Sequence, residues 1–107
     1  MYNPQELDDK FHGLSNIYRS GIPEHMIVPL LDYIVRGVPT GGFLAALLSN
    51  DLKETFGRAD CENIKKVREF LVFLYNHTPS NCWGSPKHFK EWINKGGLNG
   101  HPEASQS

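Results

Sequence analysis

The residues best suited to chemistry in this 107-residue chain lie around a pair of glycines. In Pro39-Thr40-Gly41-Gly42-Phe43, a helix whose first full turn begins at Phe43 places Thr40 or Gly41 near its cap. The first amides of a helix have no intrahelical partner, and Gly41 and Gly42 carry no side chain that would keep a ligand away from them. An anion held there would gain a charge-assisted contact from Arg58 and a stacking face from Trp83. Thr40, Gly41, Gly42, Phe43, Arg58 and Trp83 are therefore the candidate ligand-binding set. Two structural readings compete with it. The glycine pair also suits a tight connection between packed helices, and Trp83 also suits a plug at the open end of a helical core. No Gly-Lys-Ser/Thr follows the pair, so it is not a phosphate loop.

Other chemistries find less support. His77, Cys82 and His88 are the metal-capable residues nearest one another, but their spacing matches no zinc pattern with paired ligands two to four residues apart. They read as surface histidines and a buried thiol, and neither a metal nor a cofactor is expected. No nucleophile elbow or comparable catalytic motif is present, so the reading is non-enzymatic, with a small enzyme kept as an alternative. Lys65, Lys66, Arg68, Lys87, Lys90 and Lys95 all fall in the second half, where phosphate binding would want them. The acidic first half opposes that use, and a nucleic-acid-binding regulator stays a minor alternative.

The elements that must position these residues are short helices punctuated by Pro and Gly, with little period-two alternation. The predicted fold is all-α, a compact bundle of four to five helices. Pro4, Leu7 and Phe11 allow a short helix over 4–12. From Ile22-Pro23-Glu24 a stripe of Ile27, Leu30, Leu31, Ile34 and Val35 marks an amphipathic helix ended by Gly37 and Pro39. Pro29 lies inside it, so either the first turn kinks or the regular helix starts there. Phe43, Leu44, Leu47 and Leu48 form the next stripe. Ser49-Asn50-Asp51 breaks it and Leu52 and Phe56 resume it, giving two short helices or one bent one. Asp60 is placed to cap a central helix running to about Asn76, with Ile64, Val67, Leu71 and Leu74 on its core stripe and Phe70, Phe73 and Tyr75 widening it. An aspartate at Leu71 is then expected to unfold the domain. Ser85-Pro86 opens a last helix that packs through Phe89, Trp92 and Ile93 and stops at Gly96-Gly97. The expected organisation is an N-terminal segment over 1–21, a helical domain over 22–97 and a flexible tail over 98–107.

Composition sets outer bounds. Hydrophobic residues are 39% and charged residues 21%, enough to fold one core but not two. Apolar runs reach about six residues where a membrane helix needs about 20, so no membrane association is expected. The acidic start, with Glu6, Asp8 and Asp9, does not look like a secretory signal, which points to the cytoplasm. Cys61 and Cys82 are expected as free thiols. The formal charge of −1 divides unevenly: residues 1–60 carry five Lys/Arg against eight Asp/Glu, and residues 61–101 carry six against three. Such a split permits electrostatic association between copies, so a homo-oligomer is one expectation, and two solvated faces of a single domain are the other reading.

Ile22-Pro23-Glu24-His25, Pro39-Thr40-Gly41-Gly42-Phe43-Leu44, Leu48-Ser49-Asn50-Asp51-Leu52, Gly57-Arg58-Ala59-Asp60, Tyr75-Asn76 and Cys82-Trp83-Gly84-Ser85-Pro86 together resemble a group of short helical phage and prophage proteins of uncharacterised function. The resemblance covers about residues 22–97. Pro29 and Cys61 depart from it, standing where ordinary helix formers or acidic residues are expected. It implies a bacterial host cell as the setting and brings no catalytic residues with it. The expected function is a binding protein that engages a host protein or counteracts a host defence pathway. The alternative is an oligomeric sponge that sequesters a small anionic ligand, a nucleotide signalling molecule, in pockets between copies.

Overall fold

The computed structural model describes residues 14–100, with side chains placed up to Leu98. The short helix expected over 4–12 and the chain beyond residue 100 lie outside the described residues. Within them the fold is all-α: helices α1 (Glu24–Arg36), α2 (Gly42–Leu48), α3 (Leu52–Arg58), α4 (Cys61–Lys65), α5 (Val67–His77) and α6 (Pro86–Asn94) are flanked by 3-10 turns at Leu14–Arg19 and Gly97–Gly100. No strand occurs among the described residues. No described helix is long and apolar enough to cross a membrane.

Helix α1 buries the stripe its spacing predicts, Ile27, Leu30, Leu31, Ile34 and Val35, and also the whole of Tyr33. It begins at Glu24 and runs through Pro29. The hydrogen bond that Pro29 forgoes is the one to His25, and both residues are exposed, so the loss falls on the solvent side of the helix. Gly37 then takes a left-handed conformation and returns its amide to the Tyr33 carbonyl, closing the helix.

The central helix departs from expectation in two ways. It is divided, because Lys66 leaves helical geometry (φ −114, ψ 11) between α4 and α5. Its buried face is also rotated: Val67, Phe70, Phe73 and Leu74 are buried, whereas Ile64 and Leu71 are exposed. Both stripes share Val67 and Leu74. The choice between them rests on area, since two phenylalanines bury more apolar surface than an isoleucine and a leucine. Phe70 meets Phe43 of α2 edge-on at 5.4 Å, which holds this rotation in place.

The step from α2 to α3 also differs from the expected stripe. Asn50 adopts positive φ, and the Asp51 carboxylate accepts from the Glu54 amide at 3.1 Å, so the interruption is a two-helix turn with its own cap. Its geometry turns Thr55 inward, with its hydroxyl on the Asp51 carbonyl at 2.6 Å. Leu52, 68% exposed, and Phe56 are left facing outward.

Two expected caps form as read: Asp60 accepts from the Asn63 amide, and Ser85 accepts from the His88 amide with Pro86 in the first turn. The last helix closes the core. Trp92 is fully buried, and its indole N–H reaches the carbonyls of Tyr33 (3.0 Å) and Ile34 (3.2 Å). Phe89 stacks on Tyr33 at 5.3 Å, and the Tyr33 hydroxyl donates to the Cys82 carbonyl at 2.6 Å. Leu98 is buried, as are Leu14 and Ile17 of the first turn, so the core draws on chain from both sides of residues 22–97.

Two substitutions separate this arrangement from the one the periodicity suggests. Trp92→Phe is expected to cost about 2 kcal/mol or more, because it removes the indole donor shared by the Tyr33 and Ile34 carbonyls, the first of which keeps only the Gly37 amide, and leaves a gap beside them. Leu71→Asp is expected to stay within about 1 kcal/mol of the parent. Urea denaturation of both variants measures the contrast.

Candidate functional site

Gly42 is the point around which the candidate residues are organised. It opens α2 behind the extended cap residue Gly41, and it borders two separate clefts. The first, about 490 Å³, lies along α2 and α3 and is lined by Gly42, Ala46, Asp51, Glu54 and Arg58 among others. The second, about 300 Å³, lies against α1 and is lined by His25, Met26, Phe43, Leu44, Asp60 and Asn63 together with the glycine pair.

The structure brings Gly42 and Arg58 together. A Cβ at Gly42 would stand 2.9 Å from Arg58 Nη1 and 3.0 Å from its Cδ, so the guanidinium lies across the glycine. Within its own helix Arg58 Nε donates to Glu54 Oε2 at 2.9 Å, which already offsets part of its charge. Both side chains are largely exposed, so the pair contributes little to stability and can open toward a ligand.

The remaining predicted residues divide. Of the two clefts, Gly41 and Phe43 border the second and Arg58 the first. The Phe43 ring is committed to the core against Phe70. Thr40 lines neither cleft, and its hydroxyl donates to the Gly41 carbonyl at 3.2 Å. Trp83 also lines neither: it packs half-buried against the core, its carbonyl 3.0 Å from His88 Nδ1. Of the six residues, these two clefts bring Gly42 together with Arg58 and the glycine pair together with Phe43.

The second cleft contains residues that sequence reasoning assigned only structural parts. Asn63 is 4% exposed, and its Oδ1 has no hydrogen-bond partner among the described residues. A buried acceptor left unpaired costs about 1–3 kcal/mol, so its retention requires an explanation. Beside it, His25 stands between two carboxylates, with Nε2 3.6 Å from Asp60 Oδ2 and Nδ1 3.3 Å from Glu62 Oε1. The sequence signal was slight: His25, Asp60 and Asn63 each occur singly, on α1, at a cap and on α4. No protein-family model, curated protein or solved structure matches this chain.

The histidines and cysteine considered for a metal are dispersed. The His77 ring lies against Phe73, His88 faces the Trp83 carbonyl and Cys82 is buried. Among the described residues no three His, Cys, Asp or Glu side chains gather closely enough to hold an ion. Both cysteines are free, Cys61 exposed and Cys82 buried. Burial drives the Cys82 thiol well above its ordinary pKa, with a hydrogen bond from Thr78 opposing in part, so the sulfur is held as an unreactive thiol. Burial likewise raises the Tyr33 hydroxyl, with the neighbouring Cys82 adding to the effect, and keeps it a neutral donor.

Thiol titration with a disulfide reagent is expected to find one reactive cysteine in the native protein, Cys61, and two after denaturation. Gly42→Ala is expected to displace the Arg58 side chain rather than the backbone. Its cost to stability should stay below about 1 kcal/mol, because a flexible side chain can yield and alanine is the better helix former. Thermal melts, with the Arg58 side-chain NMR signals as the local probe, read this outcome.

Proposed function

We propose that this chain is a small non-enzymatic binding protein of the phage type, which acts in the cytoplasm of a bacterial host by engaging a host protein and so counteracting a defence pathway. One observation carries the reading: the outward face of α4 and α5 is apolar. Ile64, Leu71, Val72 and Tyr75 are all exposed, Tyr75 at 82%, at spacings that put them on one side of the two helices. Lys65, Lys66 and Arg68, in the same stretch of chain, are exposed as well. Large apolar side chains aligned on an exposed helix gain free energy when covered, and tyrosine with basic side chains is a usual composition for a recognition surface.

A second reading has its own support. Arg58 lying across Gly42, in an open cleft that one copy does not close, suits an oligomeric sponge for a nucleotide signalling molecule in which a neighbouring copy completes the pocket. A domain of this size encloses little volume alone. Under this reading the apolar face of α5 is covered by another copy.

Native mass spectrometry of the protein purified from bacterial lysate separates the two. The host-protein reading expects a defined hetero-complex that Val72→Asp/Tyr75→Asp abolishes while the variant's thermal transition stays near the parent's. The sponge reading expects a homo-oligomer carrying a small bound mass that Arg58→Ala releases. A monomer with neither, unaffected by any of these changes, would refute both.

A further inference from the structure

We propose that the outward stripe of α5 docks an amphipathic helix with an acidic flank, presented by the partner protein. The inference rests on reading this face as a recognition surface, and it adds the shape and charge of what is recognised. Arg68, Leu71, Val72 and Tyr75 are all exposed, and their spacing within one helix places them along one side of α5 over about 10 Å. The stripe thus begins on a guanidinium and ends on a phenol ring, with two aliphatic side chains between them. Arginine and tyrosine are among the residues that most often carry binding energy when a partner covers them.

Charge makes this stretch of chain one-sided. The acidic residues of 60–77 are Asp60, Glu62 and Glu69, and each is drawn toward another part of the fold. Asp60 and Glu62 contact His25 of α1. Glu69 runs beneath Gly21, where an added Cβ would stand 3.1 Å from its Cγ, and its Oε2 is sealed from solvent. Lys65, Lys66 and Arg68 stay exposed and form no ion pair among the described residues. Covering an unpaired guanidinium with an apolar or basic surface costs its hydration, whereas a carboxylate on the partner replaces that hydration with a charge-assisted contact. The partner's shape follows from the backbone. The amides and carbonyls of α5 are spent within the helix, and no strand among the described residues offers an open edge. An extended segment would lie on this face with its own backbone unpaired, while a helix arrives with those groups satisfied and packs its side chains between those of α5.

A library of displayed helices tests this. Each member carries a leucine stripe at the same spacing, with glutamate and lysine equally allowed at every flanking position, and is selected on the full chain against an excess of the Val72→Asp/Tyr75→Asp variant. Selected helices are expected to carry glutamate over lysine by about threefold or more, and a selected peptide made synthetically is expected to bind Arg68→Glu about tenfold less tightly than the parent. Its affinity is expected to fall as salt rises. Arg68 is exposed, so Arg68→Glu is expected to keep the parent's thermal transition, and Lys65→Glu supplies the same contrast if it does not. The proposal is overturned if no helix distinguishes the parent from Val72→Asp/Tyr75→Asp, if lysine is selected as often as glutamate, or if the peptide binds the parent and the charge-reversed variant equally. Adsorption to phosphatidylglycerol vesicles through Tyr75, in place of helix binding, overturns it as well. A hetero-complex from lysate that Val72→Asp/Tyr75→Asp abolishes and Arg68→Glu leaves intact also overturns it, while the reading of the face as a host-protein surface stands.

Discussion

The indole N–H of Trp92 on the last carbonyls of α1 is the interaction on which the rest of this fold depends. A helix ends with carbonyls that have no partner in the helix, and at a buried end these must be satisfied by something else. Gly37 serves the Tyr33 carbonyl from within the chain, and Trp92, 59 residues after Tyr33, serves it again together with that of Ile34. Because an indole is large and its donor has one direction, placing it there fixes where α6 lies and how it is rotated. The chain after α6 must then pass directly against the end of α1. A Cβ at Gly97 would come within 2.5 Å of the Gly37 nitrogen, and both glycines have positive φ, so the two backbones pack without side chains between them.

The same end of α1 organises the loop between α5 and α6. The Tyr33 hydroxyl holds the Cys82 carbonyl, and the Gly84 amide reaches back to the carbonyl of Leu48 at 2.8 Å, tying the loop to α2 as well as α1. Cys82 is consequently sealed, and Trp83 is held half-buried against the core with His88 on its carbonyl. The segment is thereby held as a strap between α1 and α2. Its polar groups go largely to closing the core.

With the interior spent on this closure, the features available for recognition lie on the outside. Short helices in a small domain cannot bury every apolar side chain they carry, and those left over fall on the faces turned away from the shared core: Leu52 and Phe56 on α3, and Leu71, Val72 and Tyr75 on α5. The two clefts meet at Gly42 for a related reason. A glycine at the start of α2 lets Arg58 approach from one side and leaves open space toward α1 on the other.

What the sequence determined by itself was whatever rests on neighbours in the chain. The all-α class, the buried stripe of α1, the left-handed cap at Gly37 and the side-chain caps at Asp60 and Ser85 all arise from periodicity and local hydrogen bonding, and all were legible. Tertiary structure alone decided the rotation of α3 and α5. Over seven to eleven residues two stripes offset by one position are nearly equivalent, and the choice fell to contacts from far along the chain, such as Phe43 on Phe70. The candidate site followed the same division. The glycine pair could be read from its own residues, and so could Arg58 as a charge, but their contact across 16 positions could not. Nor could the cleft with its unpaired Asn63 oxygen, because His25 lies on α1 while Asp60 and Asn63 lie at the start of α4, and they acquire a common surface only when α1, α2 and α4 pack together.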